Sequence, residues 1–262
     1  SDLFWLTDVQ MSRLQPFLSK SHRKPRVDDR RVLSGNIFIN RNAYVREMPL
    51  LPMVAQDALQ PLETVDDKGI FAQMMVGLAP DHGEEKTVMI PLGNHLRDAL
   101  PGRGRYVSES SPNSDQHGRE KGGRGRLIGR TKGGMNTKLH AICDSQGRPL
   151  NLFVQQDKHD YIGARALVSS LPTVEWLLGD RGYDADWFRE ALKDKGIRAY
   201  ISGRTQRKKT VNYDKRRYKR RNRIEIMFGR LKDWRRVATR YDRCPKVFLS
   251  AIALATLVIY WL

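Results

Sequence analysis

From Leu127 onward, short apolar runs alternate with amphipathic ones, and this order restricts the fold more than any other feature of the chain. "TKLHAICD" and "RPLNLFVQQ" flank Ser145-Gln146-Gly147 and predict a β-hairpin. "DYIGARALVSSL" reads as a helix, and "VEWLLGD" reads as a buried strand closed by an acid. "DADWFREALKDKG" predicts a helix with Asp184 or Asp186 near its start and Gly196 as C-cap. "IRAYIS" is a further strand. A basic loop follows, then a long helix from about Arg217, then an apolar terminal helix. Strand, hairpin, helix, strand, helix, strand, helix is an α/β order.

The first 80 residues differ. Thr7 can cap a helix beginning "DVQMSRLQPFL", with Gln10 as its capping-box partner, and Pro16 should end or kink it. "VDDRRVLSGNIFINRN" and "FAQMMVGLA" have helical spacing. We therefore expect a small helical, DNA-binding-like domain over residues 1–80 and an α/β domain over 84–262, opened by the short strand "KTVMI" (86–90). Two stretches fit neither pattern. Residues 43–66 carry prolines and no clean period, and 91–125 are rich in Gly, Ser, Pro and charge and read as loop or disorder.

Charge narrows the function. The 262 residues carry a formal net charge of +18. Residues 201–246 hold 18 Lys and Arg against 4 Asp and Glu, a net of +14. Such a segment favours a polyanion, nucleic acid before a membrane surface. Two cysteines are too few for a disulfide framework or a zinc site and fit a reducing cytoplasm, and no signal-peptide pattern is present. The closing run "FLSAIALATLVIYWL" is about fifteen residues, short of the roughly 20 that span a bilayer, so we expect a buried helix and no membrane partner.

Within the basic segment, Glu225 is the lone acid between Tyr218 and Lys232. On a continuous helix, Tyr218, Arg221, Glu225 and Lys232 share a stripe roughly 60° wide. Ile224, Met227, Phe228 and Leu231 form a separate apolar stripe suited to packing on a sheet. By spacing alone, an i, i+4 ion pair with Arg221 accounts for Glu225. Asp180 ends the strand "VEWLLGD", where α/β sheets place ligands, although an acid starting a turn accounts for it too. Taken together, two carboxylates on separate elements suit Mg²⁺, and metal-assisted phosphodiester chemistry needs carboxylates converging in this way. The surrounding cations would then hold DNA phosphates.

The pattern Tyr218-x2-Arg221-x3-Glu225-x6-Lys232 resembles the Y-R-E-K motif of bacterial insertion-sequence transposases with a DDE site. "LLGDRGYDADWFR" resembles the segment carrying that family's second acid. "GRTKGGMNTKLHAICDSQGRPL" and "RRVATRYDR" are similar to the insertion-sequence-five group. The resemblance runs almost continuously over residues 126–262 and extends to the helical start. It implies an RNase H-like core, a mixed central sheet flanked by helices, preceded by the helical N-terminal domain. It also implies three acids binding two Mg²⁺ (or Mn²⁺) ions, with Asp180 as the second acid and Glu225 as the third, both catalytic and metal-ligating. Tyr218, Arg221 and Lys232, with Arg220 and Arg223 beside them, would contact DNA. The implied partner is double-stranded DNA, at element ends and target, bound by a homo-oligomer in the bacterial cytoplasm at the nucleoid.

One feature departs from the family. The first acid should follow the strand "KTVMI", and Pro91 stands there. Asp98 is the nearest acid downstream. Similarity lapses at about 43–66 and 91–125 with matching sequence on both sides, the trace that local out-of-frame translation leaves. The expectation is a transposase that binds terminal inverted repeats and cuts and joins DNA, in a copy impaired or inactive at Pro91. The alternative is a non-catalytic DNA-binding remnant or inhibitor.

Overall fold

The computed structural model describes residues 4–18, 28–42, 69–79, 86–91, 94–98, 129–131, 134–155, 160–207, 211, 213–240, 242 and 244–262. The stretch 43–66 lies outside the described residues, as does most of 91–125.

The centre is a mixed sheet. Strand β1 (Thr87–Ile90) pairs in parallel with β6 (Trp176–Gly179), and β6 pairs in parallel with β7 (Arg198–Ile201). On its other side β1 meets the antiparallel strand β4 (Gly134–Cys143), which forms the expected hairpin with β5 (Pro149–Gln155). The core order is β5-β4-β1-β6-β7. Strand β2 (Asn94–Asp98) continues along the β4 edge that β1 occupies, and β3 (Gly129–Thr131) lies on the opposite edge of β4. A short β8 (Thr239–Arg240) pairs with β2. This is an α/β, RNase H-like arrangement, as expected. The strand at 94–98 corrects the reading of 91–125 as loop. Its lack of apolar alternation hid it, because backbone pairing to β4 and β8 sets it.

Period-2 alternation divides the sheet between two cores. Val88, Ile90, Ile142, Leu177 and Ile201 face one cluster with Phe188 and Leu192. That side is covered by α4 (Asp160–Ser170) and α5 (Asp186–Asp194). Met89, Ala141, Cys143 and Leu178 face the other. There the terminal helix α9 (Pro245–Thr256) packs against α3 (Ile70–Leu78) and α2 (Asp29–Asn42). Met11 and Leu14 of α1 (Asp8–Leu14) join this second cluster, and the Asn40 side chain donates to the Ala251 carbonyl at 2.7 Å. The N-terminal helices thus share one apolar cluster with the C-terminal helix. The Thr7–Gln10 capping box forms as expected, and α1 stops at Leu14, just before Pro16. Among the described residues no helix is long and apolar enough to cross a membrane.

The basic helix expected from about Arg217 is two helices, α6 (Lys215–Lys219) and α7 (Asn222–Lys232). Between them the backbone tightens: Arg220 bonds back to Arg217, and Arg221 to Tyr218, each at 3.0 Å and each three residues apart. Three-residue bonding stacks positions i and i+3 above one another. Tyr218 therefore comes to lie under Arg221, and the four-residue stripe expected of a continuous helix gives way to a stacked pair followed by a helix. The apolar face of α7 is as expected: Ile224, Met227, Phe228 and Leu231 are all buried. A short α8 (Arg235–Ala238) leads into β8.

Candidate active site

The parallel strands β1 and β6 end side by side. Ile90 stands opposite Gly179, so Pro91 and Asp180 follow at neighbouring strand ends. Asp180 starts a turn of 3-10 helix, Arg181–Tyr183, and accepts the Gly182 N–H at 3.3 Å. That turn folds Tyr183 back under the strand ends, where it is buried and its hydroxyl donates to the Pro91 carbonyl at 2.8 Å. Residue 91 is thus where a first acid would sit beside Asp180. It offers no side-chain ligand, and its carbonyl is engaged.

Asp180 and Glu225 come together through Arg221. One guanidinium nitrogen, Nη1, lies 2.9 Å from Asp180 Oδ2 and 3.6 Å from Glu225 Oε1. The i, i+4 ion pair weighed for Glu225 exists, but as half of a three-residue bridge. Glu225 is the more open acid, its side chain 57% exposed against 23% for Asp180. Arg221 rests over the Tyr218 ring at 5.7 Å, and the Tyr218 hydroxyl lies 3.2 Å from that of Ser202, just beyond β7.

The other basic residues divide. Arg223 is held by the β4–β5 hairpin, its Nη1 donating to the Ser145 carbonyl at 2.5 Å and to Gln146 Oε1 at 2.8 Å. Arg220 is exposed at the turn between α6 and α7. Lys232 is exposed on α7, seven residues beyond Glu225 and so on nearly the same face.

Of the two acids expected near the start of α5, Asp186 is its first residue and Asp184 lies outside it. The helix is capped at Ala185, and the Asp184 carboxylate turns inward. It accepts the Arg204 backbone N–H at 2.7 Å, Arg189 Nε at 2.8 Å and Arg207 Nη1 at 2.9 Å. Burial alone would raise its pKa, but these donors and charges hold the carboxyl below the ordinary carboxylate value. Arg204 also donates to the Gly182 carbonyl. Asp184 therefore ties the loop after β7 to the turn that carries Asp180. The sequence clue was an acid four residues beyond Asp180 together with unpaired arginines in the following loop.

Asp98 is remote. Strand β4 pairs with Met89 at Cys143 and with Arg97 at Asn136, so β2 ends roughly 20 Å farther along the sheet. Among the described residues no three His, Cys, Asp or Glu converge as metal ligands. The oxygen donors that do meet are the hard type preferred by Mg²⁺ and Mn²⁺. One guanidinium nitrogen bridges both acids, so Asp180 and Glu225 are the residues that would hold a divalent ion here. Pro91 supplies no side-chain oxygen beside them.

The family "Transposase DDE domain" matches residues 177–262, which span Asp180 and Glu225. The chain is 35% identical over 128 residues to a Brucella ovis protein named "Putative transposase for insertion sequence element IS6501", covering 48% of this chain and 98% of that protein. It is 26% identical over 156 residues to a Burkholderia cepacia protein named "Putative transposase for insertion sequence element IS402", covering 52% of this chain and 72% of that one.

Proposed function

The chain belongs to the bacterial insertion-sequence transposases with a DDE domain, an enzyme family that uses divalent metals, and from that premise we propose how its own residues act. It binds double-stranded DNA at the terminal inverted repeats of its element. Arg220 and Lys232 contact backbone phosphates, and Arg221 and Tyr218 position the scissile region against the acids. Arg223 supports them by fixing the start of α7 to the hairpin. Asp180 and Glu225 would hold a divalent cation, which when bound supplies Lewis-acid polarisation of a phosphodiester and an activated water. The observation that carries this reading is the meeting of Asp180 and Glu225 on one guanidinium at the carboxyl end of the sheet, beside the end of β1.

Cleavage and strand transfer by this copy are impaired, because Pro91 stands where the first of the three carboxylates belongs. The bound oligomer would hold element ends without processing them efficiently, which makes the chain a competitor of intact copies. A nicking assay on inverted-repeat DNA with Mg²⁺ or Mn²⁺ tests this. We expect Pro91→Asp to nick at least about a hundredfold faster than the unaltered chain, since loss of even an outer ligand partner costs 10- to 100-fold. Equal turnover in the two would refute the impairment. Failure of both to shift repeat DNA in a gel would refute the DNA-end reading.

A further inference from the structure

We propose that Arg221 is a built-in occupant of the cation position, and that it must leave before a divalent ion can enter between Asp180 and Glu225. This rests on reading those two acids as cation ligands. The Arg221 guanidinium touches both carboxylates through one nitrogen, which makes it a stand-in for an ion at that point. A divalent ion there would share the same oxygens with a like charge a few ångströms away.

The guanidinium is held without being locked. Its Nε is buried and has no hydrogen-bond partner among the described residues. Its plane is backed by the Tyr218 ring, which is fixed by Ser202 and packs edge-on against Tyr213 at 5.3 Å. The contact to Glu225 is long at 3.6 Å, and Glu225 faces solvent. A DNA phosphate arriving from that open side offers the guanidinium two oxygens in the fork geometry it binds best. Taking Arg221 away, the phosphate frees both acids. DNA and the metal ion then help each other bind, and the coupling is reciprocal. With no carboxylate at position 91, the guanidinium neutralises half of the remaining negative charge, so its competition with an ion is most severe in this chain.

The test is Mn²⁺ binding to the DNA-free full chain, followed by electron paramagnetic resonance of free Mn²⁺. It is run on the unaltered protein and on one carrying Pro91→Asp. In both, Arg221→Gln should bind Mn²⁺ roughly tenfold more tightly, within the usual range of such couplings. Arg221→Lys should stay near the unaltered value. Adding Asp180→Asn to Arg221→Gln should abolish the gain. A short random-sequence duplex should tighten Mn²⁺ binding more in the unaltered chain than in Arg221→Gln. Circular dichroism checks folding, and Arg221→Met, which keeps the packing on Tyr218, replaces a misfolded Gln variant. Equal or weaker binding after removal of the guanidinium overturns the proposal. So does a gain that survives Asp180→Asn, or no Mn²⁺ binding in any variant. A gel shift in chelator reads DNA binding separately, so failure of the DNA-end reading is distinguishable from failure of this one.

Discussion

Asp184 and Asp180 are four residues apart and have opposite surroundings. Asp180 shares one guanidinium with Glu225 and is partly open, whereas Asp184 is buried against two arginines and a backbone N–H. That difference separates an acid arranged to exchange partners from one arranged to keep them. The Asp184 carboxyl is held below its ordinary pKa, so the unfolded chain binds its proton more readily than the folded chain does. The stability it contributes is complete above the unfolded carboxylate value of about 3.9. It is lost as pH falls through that value and then through the folded one. Melting temperature followed from neutral to acid pH should fall through this window, and Asp184→Asn should flatten that part of the curve. At neutral pH the substitution should cost about 1–3 kcal/mol in urea unfolding, as expected when buried donors lose their acceptor. An unchanged pH profile would show that the arginines do not depend on this carboxylate.

At the scale of elements, the hairpin and α7 position each other. Gly147, at φ 85°, closes the turn in the left-handed region. A Cβ built there would lie 3.0 Å from the Arg223 Cβ and 3.1 Å from the Arg223 carbonyl oxygen. Gly147→Ala should therefore combine left-handed strain, about 1–2 kcal/mol, with a shift of the first turn of α7. The expected outcome is a lower urea midpoint and a changed Asp180–Arg221–Glu225 geometry. A midpoint equal to that of the unaltered chain would show that the hairpin yields without cost. The same elements show what could be read from sequence. The hairpin, β6, α5 and β7 announce themselves by period and by glycines at turns, because their apolar faces are local. The break between α6 and α7 does not, since every residue from Lys215 to Arg221 is compatible with a helix. What breaks it is tertiary: Tyr218 is tied to Ser202, and Arg221 is drawn to Asp180 on another element. The acids of the site were legible through Glu225, an unlikely residue in a cationic field. The arginine that joins them was visible as the i, i+4 partner of Glu225, but its contact with Asp180 on another element was not.

Across the whole molecule, two exposed cations of the basic segment lie near the paired acids. The acids stand beyond the carboxyl ends of β1 and β6, and Arg220 and Lys232 flank them on the segment that carries a net of +14. The opposite ends of the parallel strands present Lys195 beside Glu175 and Arg198. If the acid-bearing end is the DNA surface, binding should be dominated by counterion release there. The logarithm of affinity should then fall linearly with the logarithm of salt, by about 0.9 per phosphate neutralised. Arg220→Ala and Lys232→Ala should each reduce that slope by about one and weaken binding to all sequences alike. Lys195→Ala, on the far end, should leave the slope unchanged. Fluorescence anisotropy on one duplex across a salt series measures all three. A slope that responds to Lys195 as strongly as to Lys232 would move the DNA away from the acids, and Asp180 and Glu225 would then have no substrate within reach.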